Sequence, residues 1–207
     1  IADKFQKGQL NTLSISLHET DFTEKKYQHI VADKITGNHA DYTISYKEFA
    51  NNFDVIYGSM DQPSTDGINS WFVSKYAKEN GLKAVLSGLG ADELFGGYPS
   101  FNRMDLLKKI KIAPKTLLKS AGLSSNPKLS RLYYLGYDNP IGEYLFLRGF
   151  FTPPIIAKIL NCSVKSIDEL INAFPIDLEV NTLISGNRAS WFETNLYMQN
   201  QLLRDTD

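Results

Sequence analysis

One cysteine in 207 residues, Cys162, leaves no partner for an intramolecular disulfide and no thiolate set for a zinc cage. That usage fits a reducing compartment, and a cytoplasmic location is the expectation. Charge of one sign is also lacking. The 22 Lys and Arg stand against 23 Asp and Glu, a net charge of -1, too little for a dominant grip on a nucleic-acid backbone. No hydrophobic run reaches the roughly 18 residues of a membrane span. The greasiest stretch, 144–160, is interrupted by Arg148, Gly149, Pro153, Pro154 and Lys158 and reads as buried helix and loop. What is present is ordinary globular material, 43% hydrophobic and 22% charged, in a length that holds one large domain or one and a half.

Leu13, Ile15 and Leu17 alternate with Ser14 and Ser16, a strand pattern over 11–17. Asp21 with Glu24 has the capping-box spacing, and Tyr27, Ile30, Val31 and Ile35 give the helical face behind it, stopped at Gly37. A short strand over 39–44 follows. Ser45 with Glu48 repeats the box ahead of Phe49, Phe53, Ile56 and Tyr57, and Ile68, Trp71, Phe72 and Tyr76 make a third helix ending at Gly81. Residues 82–86 read as a compact strand running into the turn Ser87-Gly88-Leu89-Gly90. Strands alternating with helices predict an α/β fold with a mostly parallel sheet and flanking helices, followed by a helical region. Beyond Tyr98, Arg103, Lys108, Lys109, Lys111, Lys115, Lys119, Lys128 and Arg131 face Asp105 alone, which reads as a solvated helix face.

The stretch from Ser87 to Tyr98, Ser-Gly-Leu-Gly-Ala-Asp-Glu-Leu-Phe-Gly-Gly-Tyr, carries the chemistry. A hydrophobic strand opening into Ser-Gly-x-Gly and a helix start places small residues at the carboxyl edge of a parallel sheet, where open α/β folds bind ligands. Glycines let a ligand approach the backbone, and amides at the helix start can meet phosphate oxygens. Asp92 and Glu93 would repel a phosphate unless Mg²⁺ lies between. A helix-start Asp that merely favours the dipole is the alternative, and residue chemistry alone leaves both open.

These twelve residues resemble the second signature of the asparagine synthase family, the ATP-dependent half of glutamine-hydrolysing asparagine synthetases. Leu13-Ser14-Ile15-Ser16, Thr36-Gly37-Asn38-His39, Asp61-Gln62-Pro63-Ser64 and Leu202-Leu203-Arg204-Asp205-Thr206-Asp207 agree in order. The resemblance covers most of residues 1–101 and the final helix and is faint over 102–185. It implies an adenine-nucleotide α-hydrolase-like fold, a relative of the pyrophosphatase-loop ATPases, divided into a nucleotide-binding part over 1–100 and a mainly helical part over 101–207. It implies ATP and Mg²⁺ as cofactors, with Ile15 near the adenine, Ser87, Gly88 and Gly90 at the nucleotide, and Asp92 as the metal ligand. The implied partners are small molecules, aspartate or another carboxylate and ammonia from a glutaminase domain, with no nucleic acid and no membrane; a homo-oligomer stays open.

The family's Ser-Gly-Gly-x-Asp-Ser loop is not in this chain, and neither is the glutaminase cysteine, a role Cys162 does not take. Both ends read as cut within helices, so the expectation is an excised middle of the synthetase part, inactive alone and prone to self-association. Leu89 departs from the family, where asparagine synthetases using free aspartate commonly carry Glu. That departure leaves open another carboxylate on the same scaffold, such as a uronate, a peptide side chain or a β-lactam synthetase type of substrate, or a silent interaction module. Glu193 is a candidate general base or orienter, against the ordinary expectation of a solvent-facing acid on an amphipathic helix. His39 reads as a hydrogen-bonded structural residue.

Overall fold

The serine and aliphatic alternation of Asn11–Leu17 forms strand β1, and Asn38–Ile44 forms β2. They pair in parallel, Asn11 opposite Asn38 through Leu17 opposite Ile44, with helix α2, Lys25–Ala32, between them in sequence. A parallel pair requires such a crossover, because its strands run the same way. The computed structural model describes residues 2–6, 8–17, 25–62 and 64–206. The capping pair Asp21 and Glu24 lies outside the described residues. Of the face behind it, Tyr27, Ile30 and Val31 are exposed. A single helical turn, α1, spans Ala2–Phe5.

Helix α3, Tyr46–Gly58, starts where Ser45 Oγ accepts the Glu48 amide at 3.2 Å. Only this half of the capping box forms. The Glu48 carboxylate instead accepts the Tyr76 hydroxyl at 2.8 Å and Lys75 Nζ at 3.0 Å, both from α4, Thr65–Glu79. Helix α4 is capped by Ser64, whose Oγ accepts the Gly67 amide at 3.0 Å. Ile44, Ile56, Phe72 and Tyr76 are the buried centre of this part, with Tyr42 stacked on Tyr76 at 3.9 Å between ring centres.

Residues 82–86 form no strand. Val85 is 43% exposed and Leu86 fully so, and the sheet among the described residues has two strands. An apolar run of this length fits a strand locally, but strand formation needs a partner ladder, and none is paired to it.

The chain divides into two compact units, Ile1–Ser87 with Gln201–Asp207 and Gly88–Asn200. The second unit is helical: α5 (Ala91–Phe95), α6 (Pro99–Ile110), α7 (Lys115–Ala121), α8 (Pro127–Ser130), α9 (Ile141–Arg148), α10 (Pro153–Ile159), α11 (Val164–Asn172) and α12 (Ser185–Phe192). A wide-turn π-helix, Glu193–Leu202, follows α12. Its core gathers Met104 and Leu107 of α6, Leu118 of α7, Ile141 and Leu147 of α9, and Ala189 and Phe192 of α12. A second cluster, Tyr133, Tyr134 and Tyr137, satisfies its hydroxyls internally: Asp168 accepts from Tyr133 at 3.3 Å and from Tyr137, and Tyr134 donates to the Phe151 carbonyl.

The basic run is not wholly solvated. Lys111 pairs with Glu143 at 2.5 Å, Lys119 with Asp168 at 3.3 Å, and Lys115 with Asp138. Glu143 also has Arg188 Nε 2.6 Å away, close enough for an ion pair although off the line of a hydrogen bond. The acids that answer these lysines lie 23 to 49 positions further on, beyond any helical periodicity. Among the described residues no helix is long and apolar enough to cross a membrane.

Two consequences are measurable. Met104 is fully buried, so Met104→Ala should cost the helical unit about 2–5 kcal/mol in a denaturant titration; a loss near zero would remove Met104 from the core. The Tyr76 hydrogen bond holds Glu48 below the ordinary carboxylate value of 4.5, against the opposing effect of burial and with help from Lys75. Burial and then Glu48 push Tyr76 up to about 12. A carboxyl whose folded pKa is depressed stabilises fully above its unfolded value and loses that contribution as pH falls through the folded one. Glu48→Gln should therefore lower the unfolding midpoint at neutral pH and shrink the further drop seen below pH 4.5; equal acid drops in both proteins would show that Glu48 does not carry it.

Candidate functional site

The turn from Gly88 to Tyr98 is built around one inward carboxylate. Gly90, at φ +94°, precedes α5 in a conformation that side-chain-bearing residues rarely adopt. Its amide donates to Glu93 Oε2 at 2.9 Å, and Glu93 Oε1 accepts the Tyr98 hydroxyl at 2.7 Å. Glu93 is 1% exposed, so both of its oxygens are satisfied from within the turn. The Gly90 amide, which the sequence offers to a phosphate, is thereby occupied. Gly96, at φ +79°, ends α5, with the Gly96 and Gly97 amides both on the Asp92 carbonyl at 3.0 Å. A Cβ at Gly97 would collide with the Asp92 carboxylate, so the glycine there makes room for that side chain.

Asp92 differs from its neighbour in every respect. It is exposed while Glu93 is buried, which separates the two carboxylates by role. Among the described residues no three His, Cys, Asp or Glu side chains gather to hold a metal ion. Of the other residues expected at a nucleotide, Gly88 and Gly90 share the helical unit with Asp92, whereas Ile15 and Ser87 belong to the first unit. Ile15 sits on β1 opposite Tyr42, half-buried, and Ser87 is exposed. Leu89 is 37% exposed.

Behind Tyr98 stands a residue that sequence reading misses. The Arg148 guanidinium lies 4.4 Å from the Tyr98 ring centre and 3.8 Å from that of Tyr197, two aromatic faces on one cation. Its Nη2 donates to Glu193 Oε2 at 2.7 Å and its Nε reaches both carboxylate oxygens at 3.1 and 3.2 Å. Ser100 Oγ donates to Glu193 Oε1 at 2.5 Å. Glu193 is therefore not the solvent-facing acid of an amphipathic helix; its side chain is 2% exposed. Burial, opposed and outweighed by the Glu193 hydrogen bonds, leaves the Arg148 pKa above its ordinary value. Burial and then Glu93 raise the Tyr98 hydroxyl far above the usual tyrosine range, which keeps it a donor. Gly90 and Glu93 have the N-cap to N3 spacing, a local signal that could have paired them; Arg148 and Glu193, 45 positions apart, have no such signal.

The first unit brings together two other stretches. Arg204 Nη1 donates to Gln62 Oε1 at 2.7 Å, Ser64 Oγ donates to Asp205, and Gln201 Nε2 donates to Asp66 Oδ2 at 2.5 Å. These contacts border a cavity of about 300 Å³ lined by Asp61, Gln62, Gly67, Trp71, Arg204 and Asp205 among others. His39 is hydrogen-bonded across the strand pair, its Nδ1 2.9 Å from Thr12 Oγ1, as a structural residue would be. Cys162 is exposed and unpaired in the turn between α10 and α11.

Comparison with known proteins then decides the family. The family model described as asparagine synthase matches residues 1–159. The chain belongs to the asparagine synthase family. It is 34% identical over 196 residues to a Methanocaldococcus jannaschii protein provisionally named asparagine synthetase (glutamine-hydrolyzing) 2, covering 85% of this chain and 38% of that relative. It is 33% identical over 121 residues to asparagine synthetase (glutamine-hydrolyzing) 1 of Bacillus subtilis, 58% of this chain and 19% of the relative. A Mycobacterium bovis protein with a similar provisional name is 32% identical over the same length and share of this chain, and 18% of that relative is covered. The chain thus spans between about a fifth and two fifths of the length of these three relatives. No solved structure matches it. The family match ends at 159, so it contains α5 and Arg148 but not Glu193.

Gly90→Ala tests the turn. A side chain in the left-handed region costs about 1–2 kcal/mol, so the variant should lose that much stability in denaturant titration; an unchanged midpoint would show that the turn relaxes to another conformation.

Proposed function

We propose that this chain is the nucleotide-binding share of an ATP-dependent amide-forming ligase, with asparagine synthesis as the parent reaction. The observation that carries this reading is the signature turn of a family member built with one carboxylate turned inward and one outward. Glu93 is consumed in bracing the turn, which leaves Asp92 as the group available to a metal. Mg²⁺ in nucleotide sites is commonly held by one or two carboxylates with the phosphates supplying other ligands, and a single exposed Asp92 fits that mode. Bound there, the ion would offset the charge developing on pyrophosphate. Ile15 would pack near the adenine, Ser87 and Gly88 would contact the nucleotide, and Gly90 would contribute the shape of the turn, since its amide is engaged. The fold we infer is of the adenine-nucleotide α-hydrolase kind.

In the reaction a carboxylate oxygen of aspartate attacks the α-phosphorus of ATP, and the bond to the α–β bridging oxygen breaks to release pyrophosphate. Ammonia, delivered from glutamine hydrolysis, then attacks the acyl carbon of the adenylate; AMP leaves with the anhydride oxygen and a proton is lost from nitrogen. Little covalent chemistry falls to the protein, whose work is positioning and charge stabilisation.

Leu89 favours a second reading. A leucine offers no carboxylate beside the reacting group, and its partial exposure suits an apolar contact. A different carboxylate acceptor on the same scaffold is consistent with it, and a catalytically silent module is the reading left if no acid serves.

The test is ATP–pyrophosphate exchange by the full-length protein with aspartate and a panel of other carboxylates. Exchange stimulated by aspartate supports asparagine synthesis; exchange with another acid alone replaces the substrate; none with any acid overturns the ligase reading. Where exchange occurs, Asp92→Asn should reduce it by at least the ~10-fold that losing even an outer metal partner costs, and a normal rate would remove Asp92 as a ligand.

A further inference from the structure

We infer that Arg148 and Glu193 are positioning residues for the signature turn, acting on it through Tyr98 and Glu93. The functional part of this inference rests on the reading that the turn and Asp92 serve Mg·ATP; the mechanical part does not.

The path is short and each of its links is directional. Glu193 is fixed by three N–H contacts from Arg148 and by the Ser100 hydroxyl. A carboxylate so held leaves the guanidinium little freedom, because the planar fork must stay in register with the carboxylate plane. The same group lies against two tyrosine rings set nearly at right angles to each other, so the position of Arg148 bears on that of Tyr98. Tyr98 and Tyr197 also meet edge to face, with ring centres 5.9 Å apart. From the Tyr98 hydroxyl the path runs to Glu93 Oε1, and from Glu93 Oε2 to the Gly90 amide. Gly90 is two positions before Asp92. Four contacts therefore separate Glu193 from the residue whose backbone conformation launches α5.

The arrangement exceeds what joining helices requires. A bare ion pair would fasten α9 to the helix that follows α12, but it would leave the Tyr98 ring free to slide. Here the guanidinium is hydrogen-bonded to a carboxylate and in contact with two rings. Directional hydrogen bonds and ring contacts hold it together, which is how a cation transmits position rather than only attraction. Glu93, for its part, has no freedom to adapt, being bonded at both oxygens in a site with almost no solvent contact. A displaced Tyr98 must either break its bond to Glu93 or drag Glu93 and Gly90 with it.

A structural role alone predicts variants that lose stability throughout the unit. A positioning role predicts that the turn loosens selectively and that effects along the path do not add. Arg148→Lys keeps a cation for Glu193 but loses the planar fork and the guanidinium's contact with the two rings. Tyr98→Phe keeps a ring against Arg148 but removes the hydroxyl that reaches Glu93. The experiment is amide hydrogen exchange over 88–98 in the full-length protein without nucleotide, for both single variants and the double, alongside the KM for ATP and kcat in pyrophosphate exchange.

Each single variant should speed exchange over 88–98 about tenfold, the size of coupling between directly contacting groups, with the core peptides containing Met104 and Leu135 unaffected. The double variant should match the larger single, and KM for ATP should rise about as much with kcat changed less. Additive effects in the double, or protection lost equally in the core and the turn, would overturn the inference. If the wild-type protein exchanges pyrophosphate with no acid, the functional reading fails on that result, and the hydrogen-exchange cycle decides the mechanical inference by itself.

Discussion

The pairing of Arg148 with Glu193 is the constraint around which the helical unit is arranged. Both charges are withdrawn from water, Glu193 almost wholly and Arg148 to three quarters. Such a pair contributes little net stability when intact, because desolvation offsets the attraction, but breaking it by removing one partner costs about 3–5 kcal/mol. Its effect is thus to exclude alternatives more than to add stability. The wide-turn helix that begins at Glu193 must present this side chain to Arg148, α6 must bring Ser100 to the same carboxylate, and α9 must end where Arg148 can reach it. The packing of Phe192, Leu147 and Met104 nearby then fills space whose shape the ion pair has already restricted.

The same economy explains the two adjacent carboxylates of the signature. Two acids side by side at a helix start gain from the dipole, yet a turn meant for an anion would be spoiled by two free negative charges. Burying Glu93 against an amide and a hydroxyl spreads its charge into hydrogen bonds and takes it off the surface, so Asp92 is the exposed charge of the pair. A Gly at position 90 is needed for its φ, which brings the backbone amide there onto Glu93.

What could be read from sequence was what is local. The two strands, the serine cap of α3 and the turn at Gly90 depend on spacings of two to four residues, and these are the features that appeared where the pattern placed them. Residues 82–86 looked like a strand because β-propensity is a statement about side chains, while a strand is a statement about partners. The burial of Glu193 was illegible for the opposite reason. Its position on an amphipathic helix predicts solvent, and only Arg148, 45 residues earlier, reverses that preference. The site was legible as a list of residues at the signature and illegible as a mechanism of holding them.

The two units solve one problem with the same three side-chain types. Asp205 in the first unit and Glu193 in the second are carboxylates with side chains 4% and 2% exposed, and each meets one serine hydroxyl and one arginine. The difference lies in the arginine. Arg204 is the chain neighbour of Asp205, 40% exposed, with Nε and Nη2 both on the same oxygen, so its pairing is local and screened by solvent. Arg148 arrives from another helix, contacts both oxygens and lies against two tyrosine rings. An ion pair between adjacent residues can persist while the surrounding chain moves, because its partners travel together. One between distant helices cannot. In the first unit the long-range ties run through Ser64 and Gln62, with the ion pair itself local; in the second the ion pair is the long-range tie, and it holds two helices in one geometry beside the turn.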